Sequence, residues 1–368
     1  MWGKVIAMNY RDLDRARKNK LLRVVVVYLV VGLSILLYCG TMLFQHKSGE
    51  LDSWEGHLSD SPELMAIASE RQKTATPVSV GTYVENLREI DLKDSFYRVE
   101  FQVWFLWEGD ADIDPANNFR VYKGLINNKR IIKETQENGK NYQLVSMDVS
   151  VSKNFEVMRF PLDSHQMKFY VESTHPIEKV VFVPDFENSG INRNLTIAGY
   201  EFLRHDIGAT SYLYDSTHGD PEINDKEMNS EIVTAFEINR SGFGLYLKCF
   251  IALVGTLTWT LIALFICTYH RVDPLGMMPG ALFGTVGNIM IGASLLPDAL
   301  EMGLLEYVNM WGVLAILATT VAIININRIR NKQEDKEFAH YYGKVLFGIV
   351  LAFTVAGNVL FPVLAYMH

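Results

Sequence analysis

Met158-Arg159-Phe160-Pro161-Leu162-Asp163-Ser164-His165-Gln166 is a polar turn carrying an apolar wedge, set between two strand-like runs and well away from the long apolar segments of the chain. Pro161 holds its own φ, lacks a backbone donor and pushes Phe160 toward extended geometry, so the chain turns a rigid corner with Phe160 on its flank. Asp163 supplies an acceptor two residues on. By itself an aromatic-Pro-x-Asp turn is also what an ordinary Asp-capped loop looks like. The segments on either side distinguish the two.

Upstream of the corner, Val78–Val84, Ser95–Trp107 and Gln143–Val151 have the texture of strands; downstream, Gln166–Glu172, Val180–Val183 and Ile232–Ile238 continue it. Short strands separated by turn residues predict an immunoglobulin-like β-sandwich of about 160 residues. Between residues 50 and 240 there are 19 basic and 33 acidic side chains, so this region carries all of the net charge of −8. Such a field enriches cations and repels anions, and equally serves solubility. It gives no support to nucleic-acid binding.

Further out the chain becomes apolar. With 49% hydrophobic residues overall, it is too apolar for an ordinary soluble enzyme. Runs long enough to span a bilayer, about 18 residues or more, occupy Val24–Phe44, Cys249–Thr268, Leu275–Leu296, Tyr307–Ile324 and Val345–Tyr366. The pattern predicts one helix, then the β region, then a four-helix bundle. Predicted divisions are a basic N-terminus at 1–23, the first spanning helix at 24–44, a linker at 45–76 with a short helix opened by Ser61-Pro62-Glu63, the β region at 77–240 and the helical region at 241–368.

Lys4, Arg11, Arg15, Arg17, Lys18, Lys20 and Arg23 precede the first helix, which places the N-terminus in the cytoplasm, with the β region and the C-terminus outside. The first apolar run is longer than a signal-peptide core and lacks a small-residue cleavage site, so it is expected to be a retained anchor. Cys39, Cys249 and Cys267 all fall in apolar runs, which leaves the β region without a disulfide. No nucleophile-base constellation, phosphate-binding loop or zinc-ligand spacing is present, and no enzymatic activity is expected.

Strands, corner and four helices in this order resemble the subunit of a prokaryotic pentameric ligand-gated ion channel, the Cys-loop receptor-like family, over about Pro77 to Tyr366. Val78–Asp91 resembles the opening strand and Trp104-Phe-Leu-Trp107 the second strand. Phe160-Pro161-Leu162-Asp163 resembles the corner at the base of the domain. Phe236-Glu-Ile-Asn-Arg240 resembles the last strand with its basic residue, and Leu296-Pro297 the end of the pore helix. The chain departs from the pattern in having no cysteines around the corner, His165 where glutamine is usual, no proline in the first channel helix, and the additional helix Val24–Phe44, which packs around the bundle or recruits a partner protein.

The resemblance implies a homopentamer in a bacterial inner membrane, opened by an extracellular small ligand or by protons. Its coupling interface would comprise Phe160, Pro161, Asp163, Arg240 and Pro297, with the Phe160-Pro161 wedge seated against Pro297-Asp298-Ala299. Asp163 and Arg240 would form a partly buried pair, Arg240 otherwise being an interfacial anchor. The pore would be lined by Asp273, Gly276, Gly280, Phe283, Gly287, Met290, Ile291 and Ser294. There Asp273 would form an acidic ring selecting cations and Phe283 a hydrophobic gate. An alternative face shows Thr285 and Asn288, and Gly276, Gly280 and Gly284 form a small-residue ridge suited to close packing. Ligand-binding positions would be Trp104, Tyr122, Glu172, His175, Tyr212 and Tyr214, aromatic faces suited to an amine, although aromatic residues of a β domain also build its core. A non-conducting sensor or scaffold that signals through the additional helix is the competing expectation.

Asp110, Asp112 and Asp114 alternate in Glu108-Gly-Asp110-Ala-Asp112-Ile-Asp114. A loose Ca²⁺ site is one reading of them and a solvated acidic loop the other; an EF-hand is excluded, because Pro115 and Val121 stand where it needs Gly and Glu. No other cofactor is expected.

Overall fold

A computed structural model describes residues 10–55, 58–197, 199–217, 226–297 and 302–366. The chain forms two compact units. One is helical and comprises the chain up to Ser48, Val157–Leu162 and the chain from Gly242; the other is built on β-structure and comprises Gly49–Glu156 and Asp163–Ser241. The corner is therefore divided: its wedge belongs to the helical unit, and its carboxylate to the β unit.

Among the described residues the β unit contains ten strands. One sheet joins β1 (Thr76–Asp91), β2 (Phe96–Glu108), β4 (Gly124–Glu137), β5 (Lys140–Ser152) and β7 (Val180–Pro184) in the order β4-β5-β2-β1-β7, with β8 (Gly190–Ile191) also on β1. The other joins β3 (Phe119–Tyr122), β6 (Ser164–Pro176), β9 (Tyr200–Leu213) and β10 (Met228–Arg240) in the order β3-β6-β10-β9. β2 and β5 alternate buried and accessible residues along their length, the signature of one face turned into a core. Across that core Phe101 of β2 stacks on Phe169 of β6 with ring centroids 4.3 Å apart, Phe105 meets Phe119 at 5.2 Å, and the hydroxyls of Thr82 and Thr234 bond at 2.7 Å.

β10 departs from alternation, since its first nine residues are all buried. Its second face is covered from outside the sheet. The Leu58 carbonyl lies where a Cβ on Gly208 of β9 would stand, 2.3 Å away, the Asp60 carboxylate accepts from the Ser211 amide at 3.1 Å, and Ala68 of α2 (Pro62–Arg71) packs with Ile177 and Met228. The short helix opens as expected, with Ser61 capping the Leu64 amide and Pro62 at the first position.

The helical unit contains α1 (Arg15–Glu55), α3 (Gly244–Phe265, extended by a π turn at Ile266–His270), α4 (Met278–Leu295), α5 (Leu304–Lys332) and α6 (Lys336–Tyr366). All five apolar helices are long enough to cross a membrane. α1 begins and ends well beyond the predicted Val24–Phe44, because the basic residues before it and the polar ones after it are compatible with helix once the apolar middle has nucleated it. It lies on its own bundle: the Tyr28 hydroxyl donates to the Ala318 carbonyl at 2.6 Å, Gly32 abuts the Phe353 ring, and Arg17 pairs with Asp335 at 2.6 Å.

Val157–Leu162 joins this unit through the start of α5. The Leu304 amide donates to the Met158 carbonyl at 2.6 Å, and a Cβ on Gly303 would stand 2.5 Å from that same oxygen. The expected seat at Pro297-Asp298-Ala299 falls largely on residues 298–301, which lie outside those described; Pro297 is half-buried. Gly303→Ala is expected to force the corner off α5 at a cost of about 1–3 kcal/mol, read as a lowered Tm of the purified protein. An unchanged Tm would show that the contact carries no packing energy.

Candidate functional site

The chain enters the β unit at Asp163, one residue before β6, and β10 ends at Arg240, just before the chain returns to the helical unit. Asp163 and Arg240 thus stand at the same end of the β6–β10 pair. Arg240 Nε donates to Asp163 Oδ1 at 3.1 Å, the Arg240 amide donates to the Asp163 carbonyl, and the guanidinium lies 4.1 Å from the Tyr200 ring centroid. The pair expected from sequence is therefore formed inside the β unit. Its third member was not anticipated: His165 Nε2 lies 2.5 Å from Asp163 Oδ2. Period-two spacing puts residues 163 and 165 on one face, which is the signal that could have found it. Burial would raise the Asp163 pKa, but the His165 hydrogen bond and the His165 and Arg240 charges win and hold it at about 2.

On the outward face of the four-stranded sheet, four tyrosines gather. Tyr122 lies 5.2 Å from Tyr212 and 6.3 Å from Tyr170 between ring centroids, and Tyr212 meets Tyr214 at 4.7 Å. Beside them Glu172, fully buried, is gripped by both Arg120 donors at 2.8 Å, by the Tyr214 hydroxyl at 2.5 Å and by the Asn229 amide at 3.0 Å. Alternation along β6 places Lys168, Tyr170 and Glu172 on this face, and register brings Glu231 of β10 beside Glu172. Glu231 is 4% exposed. One of its oxygens takes a 3.3 Å bond from Thr210 and the other has no partner among the described residues. Burial and the neighbouring Glu172 charge push its carboxyl up to about 7.

Of the six expected ligand positions, Tyr122, Glu172, Tyr212 and Tyr214 are thus brought together. Trp104 is not: it lies on β2 in the other sheet, folded over Gly81, with its indole donating to Asp185 at 3.0 Å. His175 sits past this row, its Nε2 3.0 Å from the Ile113 carbonyl. Sequence reasoning missed Arg120, Lys168, Tyr170 and Glu231. The alternation Lys168-x-Tyr170-x-Glu172 within a predicted strand was the available signal, and nothing local marked Glu231.

Carboxylates of the acidic loop are engaged within the fold. Asp110 Oδ1 accepts from the Asp112 amide, Asp114 is engaged by Gln143 and Asn117, and no group of three or more His, Cys, Asp or Glu among the described residues could hold a metal ion. The carboxylates of Asp110 and Asp114 thus serve the turn's own backbone and neighbouring side chains.

α4 has two unlike faces. Met278, Ala281, Thr285, Asn288 and Gly292 are buried against the unit. Asn288 bonds Asn309 of α5 at 2.8 Å, so the alternative pore face of Thr285 and Asn288 is overturned: it is the inward one. Asp273, Gly276, Gly280, Phe283, Gly287, Met290 and Ser294 are all exposed, Phe283 to 78%; the side chain of Ile291 lies outside those described. The small-residue ridge is split, because Gly284 abuts Thr256 while Gly276, Gly280 and Gly287 face open space. Asp273 also caps the turn before α4 by accepting from the Leu275 amide.

No protein-family model matches the chain, and no curated protein matches it in sequence.

Two outcomes are expected. Asp163→Ala leaves Arg240 and His165 facing a vacancy and should cost roughly 3–5 kcal/mol, measured by thermal denaturation; the native pair's contribution should fade as pH falls through the range from about 4 toward about 2, where a depressed carboxylate is protonated. Glu231 has the opposite sign. Its raised pKa favours the protonated fold, so it stabilises fully below about 4.5 and progressively less as pH rises through about 7. Glu231→Gln should therefore gain stability on the order of 2 kcal/mol over the native protein at alkaline pH, and little at acidic pH; equal Tm differences at both would refute the raised pKa.

Proposed function

We propose that the chain is a subunit of a ligand-responsive membrane channel, a homopentamer of the Cys-loop receptor-like kind, in which the β unit is an immunoglobulin-like sandwich that receives a small ligand and α4 lines the pore. The observation that carries this reading is the open face of α4. A helix facing lipid gains from large apolar side chains, yet this face holds Gly276, Gly280 and Gly287 with nothing opposite them. α4 is also the least apolar of the five spanning helices. Small residues there suit helices converging on an axis, with Phe283 as the gate and Asp273 as the acidic ring at the cytoplasmic mouth, selecting cations. Asp163, Arg240, Phe160 and Pro161 would couple the two units, since the covalent chain passes between units beside each of them. Trp104, on the other sheet, would reach the tyrosines of a neighbouring subunit. The N-terminus would be cytoplasmic and the β unit periplasmic.

The competing non-conducting reading gives α1 to a partner protein. Against it, α1 spends Tyr28, Gly32 and Arg17 on its own α5 and α6.

Purified protein in a planar bilayer is expected to pass cation current, with Asp273→Lys reducing or reversing the selectivity and Phe283→Ala raising the resting current. A homo-oligomer silent under acid and ligand screening, and co-purifying with another protein, would replace the channel by the scaffold.

A further inference from the structure

Residues 58–61 cross the outward face of the four-stranded sheet outside any helix or strand, and Ser59, Asp60 and Ser61 form one side of a cavity of about 620 Å³ on that face. They are held at the edge strand β9. The Asp60 carboxylate accepts from the Ser211 amide at 3.1 Å, and the Leu58 carbonyl rests where Gly208 has no Cβ. Glu231 lies opposite Thr210, between those two anchor points; it is 4% exposed, and one of its oxygens has no partner among the described residues. We propose that residues 58–61 are a proton-controlled strap, which lies on the sheet while Glu231 is protonated and lifts from it when Glu231 ionises.

The groups packed around Glu231 favour its neutral form. Burial acts first against the ionised carboxylate, and Glu172 on β6 and Asp60 on the strap, both of like charge, add to it. From β9 the Thr210 hydroxyl gives one 3.3 Å bond that favours the charge. β6 also presents Tyr170, whose hydroxyl is made harder to ionise by burial and by the Glu231 charge. Arg120 of β3 is a facing cation, but both its donors are on Glu172, and it acts on Glu231 more weakly than either carboxylate does. Lys153, Glu156 and Lys168 line the same cavity. Lys168 pairs in register with Ala235, four residues along β10 from Glu231, or about 13 Å at roughly 3.3 Å per residue.

Charging Glu231 beneath the strap would strand a carboxylate away from water with like charges beside it. Lifting the strap hydrates Glu231 and takes Asp60 away, so the carboxyl relaxes from about 7 toward its ordinary value of 4.5. The closed form therefore holds the proton more tightly than the open one. Closure is strongest below 4.5 and is lost as pH rises to about 7, by up to about tenfold per pH unit, with no further loss above that. The far end of the strap is fixed. Ser61 caps α2, and Ala68 of α2 packs with Ile177 and Met228, which leaves α2 seated when residues 58–60 lift.

The strap is independent of conduction by α4 and is tested without current. Full-length protein in detergent is followed by hydrogen–deuterium exchange mass spectrometry from about pH 5 to about pH 8, each rate corrected for the pH dependence of intrinsic amide exchange. Peptides holding Ser211 should lose protection by about tenfold or more between about pH 5 and about pH 7 and then level off, while peptides from the edge strand β4 keep theirs. Glu231→Gln should keep Ser211 protected at every pH. Gly208→Ala, whose new Cβ displaces the Leu58 carbonyl, should leave it unprotected at every pH. Both variants are checked by gel filtration and by unchanged exchange of β2 and β5. Three results would each overturn the proposal: constant protection of Ser211 across the range in the native protein, a pH dependence that survives in folded Glu231→Gln, or Ser211 exchanging no faster than β2 and β5, as it would if the whole β unit opened together.

Discussion

A single buried carboxylate governs how this chain is put together. Asp163 stands where the chain re-enters the β unit after the corner, and Arg240 stands where the chain leaves it for the last four helices. A carboxylate with 1% exposure is tolerable only when its oxygens are filled, and here one takes His165 and the other Arg240. The same pairing sets the register at the shared end of β6 and β10, on which every outward-facing residue of that sheet depends. A slip of one residue would turn Lys168, Tyr170 and Glu172 into the core and Met167, Phe169 and Val171 out to solvent.

The helical unit obeys a second constraint. In an apolar surrounding, polar side chains must find partners within the protein. Asn288 and Asn309 find each other, Arg330 bonds the Cys267 carbonyl and Asn327, and Thr285 bonds back to Ala281. Satisfying those groups is what orients α4. With Thr285 and Asn288 turned inward, Gly280, Gly287, Phe283 and Met290 are left on the open side, and among the described residues nothing packs on those two glycines.

The β unit keeps charge where a sheet exposed to water would have lost it to solvent. Covering β10 with residues 58–61 and α2 buries Asn229 and Glu231 on what is otherwise an outer face. Glu172 is paired with Arg120, whereas one oxygen of Glu231 has no partner among the described residues. Residues 58–61, which follow α1, thereby cover part of what would otherwise be an open sheet surface.

Much of this was legible in the linear chain. Run length alone marked five apolar helices, since about 30 Å of hydrocarbon demands it, and alternation marked the strands with one buried face, β2 and β5 most plainly. Four strands were missed, β3, β4, β8 and β9; β8 is only two residues long, and the other three lie at sheet edges, where a polar flank blurs the alternation, as in Gly124–Glu137. The Asp163 and Arg240 pair was expected from ordered motifs, and four of the six residues that the resemblance implied at a ligand site gather on one sheet face. The places of His165, Glu231 and Lys168 were not expected, nor was the choice between the two faces of α4. Local pattern determines which face of an element is apolar, because that depends on neighbours two to four residues away. What covers a polar face, and whether a carboxylate there is paired or left alone, is decided by segments a hundred or more residues distant, such as Asp60 over Ser211, and only the tertiary structure brings them together.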